Sequence, residues 1–229
     1  STQAKTLFPY TTLFRSPMTN AVAVSAGYSW SAVLLGDGRV VTWGYDYGGS
    51  LGRGSIATVS SDKPGYVMSA APVQPITGVV ALSTGSLFGL ALTDSGQVLA
   101  WGQNGSGQIG QGDTSNNLKS AVPVKDVTGT TLLSGITMVA AGGNHALAMD
   151  GKGNVLSWGR SSNGALGDGP NQLRRIEGSY LPAPVLAASG ISYLTDVQAL
   201  AAGYTQSLAV TSDGSLMIWG QGSTGGLGQ

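Results

Sequence analysis

The chain has no cysteine among its 229 residues. Disulfides, Cys-ligated zinc and a thiol nucleophile are therefore excluded. It has one histidine, His145. A single imidazole cannot serve a catalytic triad and a metal shell together, and metal sites usually need three or four converging ligands. Charge is scarce: 11 basic and 11 acidic side chains give a net charge of zero, with 10% of residues charged. A nucleic-acid partner calls for a basic face, so none is expected. A polybasic membrane anchor is excluded in the same way. No apolar run approaches the roughly 18 residues of a membrane span, so no membrane insertion is expected. There are no paired carboxylates in a distinctive setting and no phosphate-binding loop. No cofactor, no metal and no catalytic residue is expected.

What the chain does have is glycine, 37 of 229 residues, against a usual share of about 7%. The excess is periodic. A leading Gly is followed by Trp-Gly and then by a Gly-x-(Leu/Ile)-Gly turn, four times over. The copies run Gly27, Trp43, Gly52; Gly85, Trp101, Gly110; Gly142, Trp158, Gly167; and Gly203, Trp219, Gly228. The leading Gly precedes its Trp by 16 residues, and the Trp precedes the last Gly by 9, in every copy. The Trp-to-Trp steps are 58, 57 and 61 residues. A fixed unit joined by variable spacers is the signature of a repeat architecture.

Each unit divides into short strands. The first strands are Val22–Ala26, Val79–Ser83, Met138–Ala141 and Val197–Ala201. The second are Ser31–Leu35, Gly89–Thr93, Ala146–Asp150 and Ser207–Thr211. The third are Val40–Trp43, Val98–Trp101, Val155–Trp158 and Leu216–Trp219. Tight Gly/Asp/Ser turns join second to third strands, where positive φ is needed. Fourth strands are expected at Pro72–Ile76, Ala121–Val124 and Ala183–Leu186. Proline cannot donate to a neighbour, so these belong on an edge. The pattern predicts an all-β fold, a β-propeller of four-stranded blades. Small residues before each leading Gly suit innermost strands, and the recurrent Trp suits the space between blades.

These Gly, Trp-Gly and Gly-x-Leu-Gly motifs resemble the regulator of chromosome condensation repeat family, and in their low charge and Ser/Thr/Gly/Ala richness its bacterial members. The likeness covers residues 22–229. It implies a seven-bladed ring, within the about 4–8 blades that propellers use, and hence a chain that is part of a ring of about 400 residues. The repeats divide as 22–79, 80–136, 137–197 and an incomplete 198–229. The family often places His three residues after the leading Gly; only His145 keeps it, beside Trp30, Phe88 and Gln206 at the equivalent positions. The Trp-Asp pair of 40–45-residue propeller repeats and the roughly 50-residue kelch repeat do not fit. Residues 1–18 carry no Gly, and Leu7–Ser16 resembles translated sequencing-adapter read-through. They are expected to be a non-native or disordered leader to the propeller of 19–229.

Two chemical motifs are decoys of the repeat. Gly48–Gly52 matches the Gly-x-Ser-x-Gly elbow of hydrolases, but Gln108, Ala165 and Gly226 take the place of Ser50 elsewhere. Gly105–Gly110 matches Gly-x-Gly-x-x-Gly, yet a polar loop follows where a dinucleotide site needs a helix. Function is expected on variable loops: Arg53–Ala71, Gln111–Ser120 and Asp168–Pro182. The candidate partner-binding residues are Trp30, Lys63, Tyr66, Arg174, Arg175 and Tyr180, because Arg and aromatic residues concentrate in interfaces. The expectation is a non-enzymatic scaffold that binds a protein partner through loops on one face. The resemblance implies guanine-nucleotide exchange on a small GTPase as an alternative. A carbohydrate- or surface-binding module of a secreted or envelope protein is another, and the composition places the chain outside the cell or in its envelope ahead of the cytoplasm.

Overall fold

The computed structural model describes residues 18–54, 60–114, 117–169, 180–223 and 225–228. Residues 1–17 of the expected 1–18 leader and the candidates Arg174 and Arg175 lie outside the described residues.

Four antiparallel sheets follow one another in chain order, each a simple meander. Blade 1 holds β1 (Ala21–Ala26), β2 (Trp30–Leu35), β3 (Val40–Tyr45) and β4 (Ser60–Tyr66). Blade 2 holds β5 (Val79–Thr84), β6 (Phe88–Thr93), β7 (Val98–Gly102) and β8 (Leu118–Pro123). Blade 3 holds β9 (Ile136–Ala141), β10 (His145–Asp150), β11 (Val155–Gly159) and β12 (Ala183–Pro184). Blade 4 holds β13 (Val197–Ala202), β14 (Gln206–Thr211) and β15 (Leu216–Gly220), a three-stranded sheet among the described residues. The first strands β1, β5, β9 and β13 pack side by side, so they are the innermost strands. Their small residues let blades approach: Ser25 Oγ lies 2.8 Å from Thr84 Oγ1, and Ser83 Oγ accepts from Ala141 N at 2.9 Å.

The outer strand of blade 1 corrects the sequence reading. It is Ser60–Tyr66 and not Pro72–Ile76. Ser60-Ser61-Asp62-Lys63 has no apolar alternation because an edge strand has one neighbour and two wet sides. Arg53 holds it from beneath: its guanidinium donates to Ser61 Oγ at 2.9 Å, to Lys63 O at 2.7 Å and to Thr42 O. Pro72–Ile76 instead turns back on Val67–Ser69, and Ile76 N donates to Val67 O. The proline rule itself holds, since Pro64, Pro123 and Pro184 all sit in outer strands. In blade 3 the strand stops at Pro184, two residues earlier than expected, because Val185 turns inward and is buried. Val67, Val124 and Val185 do the same job in three blades: each donates to the first residue of its third strand, at 2.8–2.9 Å.

The recurrent Trp latches blade to blade. Trp101 Nε1 donates to Ser50 O, Trp158 Nε1 to Gln108 O and Trp219 Nε1 to Ala165 O, each at 2.9 Å. Each acceptor is the x residue of the preceding blade's Gly-x-Leu-Gly turn. Trp101 and Trp158 are fully buried, so the indole N–H has its partner and the ring fills the seam. Trp219 is half-buried, and Trp43 packs partly against Val33, Leu35 and Val41.

Candidate partner-binding face

The loop between first and second strands is built identically in all four blades. The leading Gly donates its N–H to the carbonyl three residues on: Gly27 to Trp30, Gly85 to Phe88, Gly142 to His145 and Gly203 to Gln206, at 2.8–2.9 Å. The bond folds the side chain of that third residue back over the glycine. A Cβ on Gly27, Gly85 or Gly142 would run into the Trp30, Phe88 or His145 ring. This is why the leading residue has no side chain.

The folded-back side chain points into the seam with the next blade. Trp30 Nε1 donates to Ser86 O at 2.9 Å, and Trp30 is 3% exposed. Trp30 is therefore a core residue and not a displayed contact, which corrects the sequence expectation. The second strands begin at this residue, one position earlier than the sequence suggests. His145 Nε2 lies 2.9 Å from Ser207 Oγ, and Ser207 Oγ donates to Ala165 O at 2.8 Å. The hydroxyl proton is thus committed to Ala165, so His145 carries its proton on Nε2 and donates. Burial pushes the His145 pKa down to about 4. It is a neutral structural side chain at pH 7.

Two positions per blade recur on the face where these loops lie, and their exposure differs from blade to blade, from buried Gly143 to exposed Tyr28, Tyr45, Arg160 and Tyr204. The first is the residue after the leading Gly: Tyr28, Ser86, Gly143 and Tyr204. Their backbones form a collar across the blades, Tyr28 N to Ser86 O, Ser86 N to Gly143 O and Gly143 N to Tyr204 O, at 3.0–3.1 Å. The second is the residue two after the recurrent Trp: Tyr45, Gln103, Arg160 and Gln221. Each donates its N–H to a carbonyl of the adjoining loop, Ser29, Leu87, Asn144 and Thr205 in turn, at 2.8–3.1 Å. The backbone is thus satisfied by backbone, and the side chains of Tyr28, Tyr45, Arg160 and Tyr204 are left exposed. Tyr28 is 79% exposed and Tyr204 65%, which is unusual for so large an apolar body. Both line a shallow cavity of about 250 Å³ over the innermost strands, with a floor of Gly, Ala, Ser and Thr. Further out, exposed Tyr45 and Tyr47 stack with ring centroids 6.0 Å apart.

The residues expected from sequence are not gathered there. Lys63 and Tyr66 sit on the edge strand β4, with Tyr66 at the opposite end of the blade. The Arg39 guanidinium lies 4.6 Å from the Tyr66 ring centroid while pairing with Asp37 at 2.6 Å. Tyr180 is half-buried; its ring lies over Gly107 and its carbonyl accepts from Gly112 N at 3.2 Å, so it seals the seam between blades 2 and 3. Ser50 is buried and donates to Tyr45 O at 2.8 Å, a turn residue as expected. Among the described residues no three His, Asp or Glu side chains cluster as a metal site would. The sequence reading missed Tyr28, Tyr45, Tyr47, Arg160 and Tyr204. The available signal was a fixed offset from the invariant Gly and Trp combined with a side chain that changes from blade to blade.

Comparison with known proteins agrees with this architecture. A family model described as the regulator of chromosome condensation (RCC1) repeat matches residues 95–149 and 152–210. A second model with the same description matches 79–108 and 136–165. Together they span more than half of the chain. The ultraviolet-B receptor UVR8 of Arabidopsis thaliana is 34% identical over 216 residues, covering 93% of this chain and 44% of the receptor. The mitochondrial RCC1 domain-containing protein RUG3 of the same plant is 30% identical over 200 residues, covering 86% of this chain and 41% of RUG3. Among solved structures, Prp20p of Saccharomyces cerevisiae superposes with a TM-score of 0.70 at 21% identity, covering 93% of this chain and 48% of Prp20p. Human WBSCR16 gives 0.69 at 24% identity, covering 87% and 47%. The chain spans less than half the length of each of these proteins. The likeness to the solved structures shows the fold, four blades consistent with part of a seven-bladed ring. A bacterial type gains no support from these plant, yeast and human proteins.

Proposed function

The chain belongs to the regulator of chromosome condensation repeat family, and from that premise we propose that it is a non-enzymatic scaffold that binds a protein partner through the face carrying Tyr28, Tyr45, Tyr47, Arg160 and Tyr204. One observation carries the reading. Homologous positions share one backbone geometry yet present different side chains, and the exposed ones include large aromatics and an arginine, the residue types that anchor interfaces. A rigid backbone with interchangeable side chains is a binding surface of low ordering cost. The test is site-specific photo-cross-linking in cell extract. A photoreactive residue at position 28 or 204 is expected to capture one discrete protein, and one at position 94 or 213 on the opposite face is not. Capture of the same protein from both faces contradicts the reading.

A second reading, guanine-nucleotide exchange on a small GTPase, has its own support. The crystal structure of Prp20p was described together with its binding to Gsp1p and to histones. Exchange needs no catalytic side chain, only a surface that distorts the nucleotide site, and this agrees with the buried neutral His145. Release of a fluorescent GDP from a small GTPase, with and without the chain, measures it. An acceleration lost on Tyr28→Ser or Tyr204→Ser supports exchange by this face. No acceleration removes this second reading and leaves partner binding standing.

A further inference from the structure

Two of the three seams between blades are closed by the outer segment of the following blade. In the seam between blades 1 and 2, Gly54 N donates to Lys119 O at 2.7 Å, Ala121 N to Met68 O at 2.8 Å and Ala70 N to Ala121 O at 3.2 Å. A Cβ on Gly49 would stand 2.9 Å from Lys119 Cα. In the seam between blades 2 and 3, Gly112 N donates to Tyr180 O at 3.2 Å. A Cβ on Gly107 would run into the Tyr180 ring, and one on Gly129 would meet Leu181 at 3.0 Å. Lys119 and Tyr180 are equivalent, since each stands 5 residues before the buried Val124 or Val185. In the seam between blades 3 and 4 the same surface is open. A cavity of about 280 Å³ lies there, and its lining includes Gly164, Gly169, Leu186, Ala188, Ile218 and Trp219. Gly164 and Gly169 repeat Gly107 and Gly112, and Leu186 and Ala188 repeat Met68 and Ala70. Among the described residues nothing lies within 4 Å of a Cβ placed on Gly164, and one on Gly169 meets only Leu186 of its own blade. Blade 4 has three strands among the described residues, so β15 ends its sheet with an open edge. One water needs about 10–15 Å³ of such space, so the cavity has room for a stretch of chain.

An open strand edge beside an apolar cavity is a template for one more strand. We infer that this seam is a strand seat, which takes an extended segment of a protein partner as the outer strand of blade 4. The inference goes beyond the face carrying Tyr28 and does not depend on it. The segments already seated in the other seams are held by their own contacts and not by a tight turn. The connections that lead into them differ, with 9 residues from Gly110 to Lys119 and 13 from Gly167 to Tyr180. The link to the third strand therefore does not set the register, and a segment of another chain can meet the same contacts. Those seated segments also define the ligand. Val122 and Ala183 stand opposite Ala100 and Ser157, and Pro123 and Pro184 stand opposite Leu99 and Leu156. The same places on β15 are Ile218 and Met217. The occupant is thus an extended peptide with an aromatic ring for the bare surface of Gly164, as Tyr180 gives Gly107. Its next parts are a carbonyl for Gly169 N, a small or β-branched residue opposite Ile218 and a proline opposite Met217. Proline fixes φ and lowers the ordering cost of such a strand.

The probe is the acetylated and amidated peptide Tyr-Leu-Pro-Ala-Pro-Val, a copy of residues 180–185. Titrated into the ¹⁵N-labelled chain, it is expected to shift the Gly169, Ala188 and Ile218 amide signals together and to saturation. Hydrogen exchange along β15 should slow. The Gly112 amide, whose acceptor Tyr180 O is already in place, should stay fixed. Ala188→Arg puts a long side chain at an exposed position of the cavity wall. It should weaken the peptide about tenfold or more and leave the melt unchanged. A response that never saturates, that the reversed peptide Val-Pro-Ala-Pro-Leu-Tyr reproduces, that appears equally at Gly112 or that survives Ala188→Arg overturns the seat. Two other outcomes overturn the assignment to a partner. Chains that associate with one another in sedimentation and are separated by the peptide would make the occupant a second copy. A polypeptide extended beyond Gln229 that no longer takes the peptide would make the occupant blade 4's own strand.

Discussion

The two ends of each blade are made by the same four repeats and use their side chains in opposite ways. At the end of the second-to-third hairpins, polar side chains are spent on the turns. Asp37 Oδ1 accepts from Arg39 N, Asp150 Oδ1 from Lys152 N and Asn154 N, and Asp213 Oδ1 from Ser215 N, at 2.8–3.1 Å. Gly38, Gly96, Gly153 and Gly214 follow at φ of 76–83°, which only glycine adopts readily. Hydrogen bonds draw these carboxylates toward the charged form: Asp37 by the Arg39 guanidinium, Asp213 by the Thr211 hydroxyl. At the other end the backbone satisfies itself through the collar from Tyr28 to Tyr204, and beside the buried Trp30, Phe88 and His145 the side chains of Tyr28, Tyr45, Arg160 and Tyr204 are left exposed. The lesson is that function is free to vary where the fold does not consume the side chain.

Predictions follow that contrast from the largest effect to the smallest. Trp158→Ala removes a fully buried ring and its bond to Gln108 O, and should cost about 3–5 kcal/mol, read as loss of the cooperative melt. Its counterpart on the displayed end, Tyr204→Ala, should leave the melt almost in place.

Next comes pH. Below 6.5 an unfolded chain protonates His145, while the folded chain resists until about 4. In that window the unfolded state binds more protons, so stability is whole above pH 6.5 and falls as pH drops. The loss should reach about 3 kcal/mol by the acid end of the window. His145→Gln should flatten the curve of melting temperature against pH. A wild-type curve flat from 6.5 to 4 would show that His145 is not held neutral in the seam.

Asp150→Ala tests the hairpin end. Burial raises this carboxyl, but the Asn154 side chain at 2.7 Å and two backbone N–H groups outweigh it and hold it below 3.8. Losing those bonds should cost about 1 kcal/mol and leave partner cross-linking unchanged. Tyr28→Ser should cost less than about 0.5 kcal/mol and still lower cross-linking at position 204.

The fold was legible because the constraints that make it are local and repeated. Leading Gly, recurrent Trp and hairpin Gly each fill a position that one residue type satisfies, so spacing revealed three strands per blade. The outer strand of blade 1 was hidden in Ser60–Tyr66, since an edge held by Arg53 needs no apolar pattern, and Pro72 drew attention to a turn. The candidate site was less legible for the reverse reason. Trp30 varies between blades to fit the seam; the Tyr28 side chain stands in solvent, while the fold restrains the same position in blade 3, where Gly143 lies against the Tyr204 carbonyl. Sequence alone does not separate those two causes. Burial does, at 3% exposure against 79%.

The most direct test is therefore a combined substitution, Tyr28→Ser, Arg160→Gln and Tyr204→Ser, with melting temperature and cross-linking from Tyr47 measured on the same sample. The account predicts a melt within a few degrees of the parent and partner capture reduced at least tenfold. Capture at the parental level with the three side chains gone would contradict it.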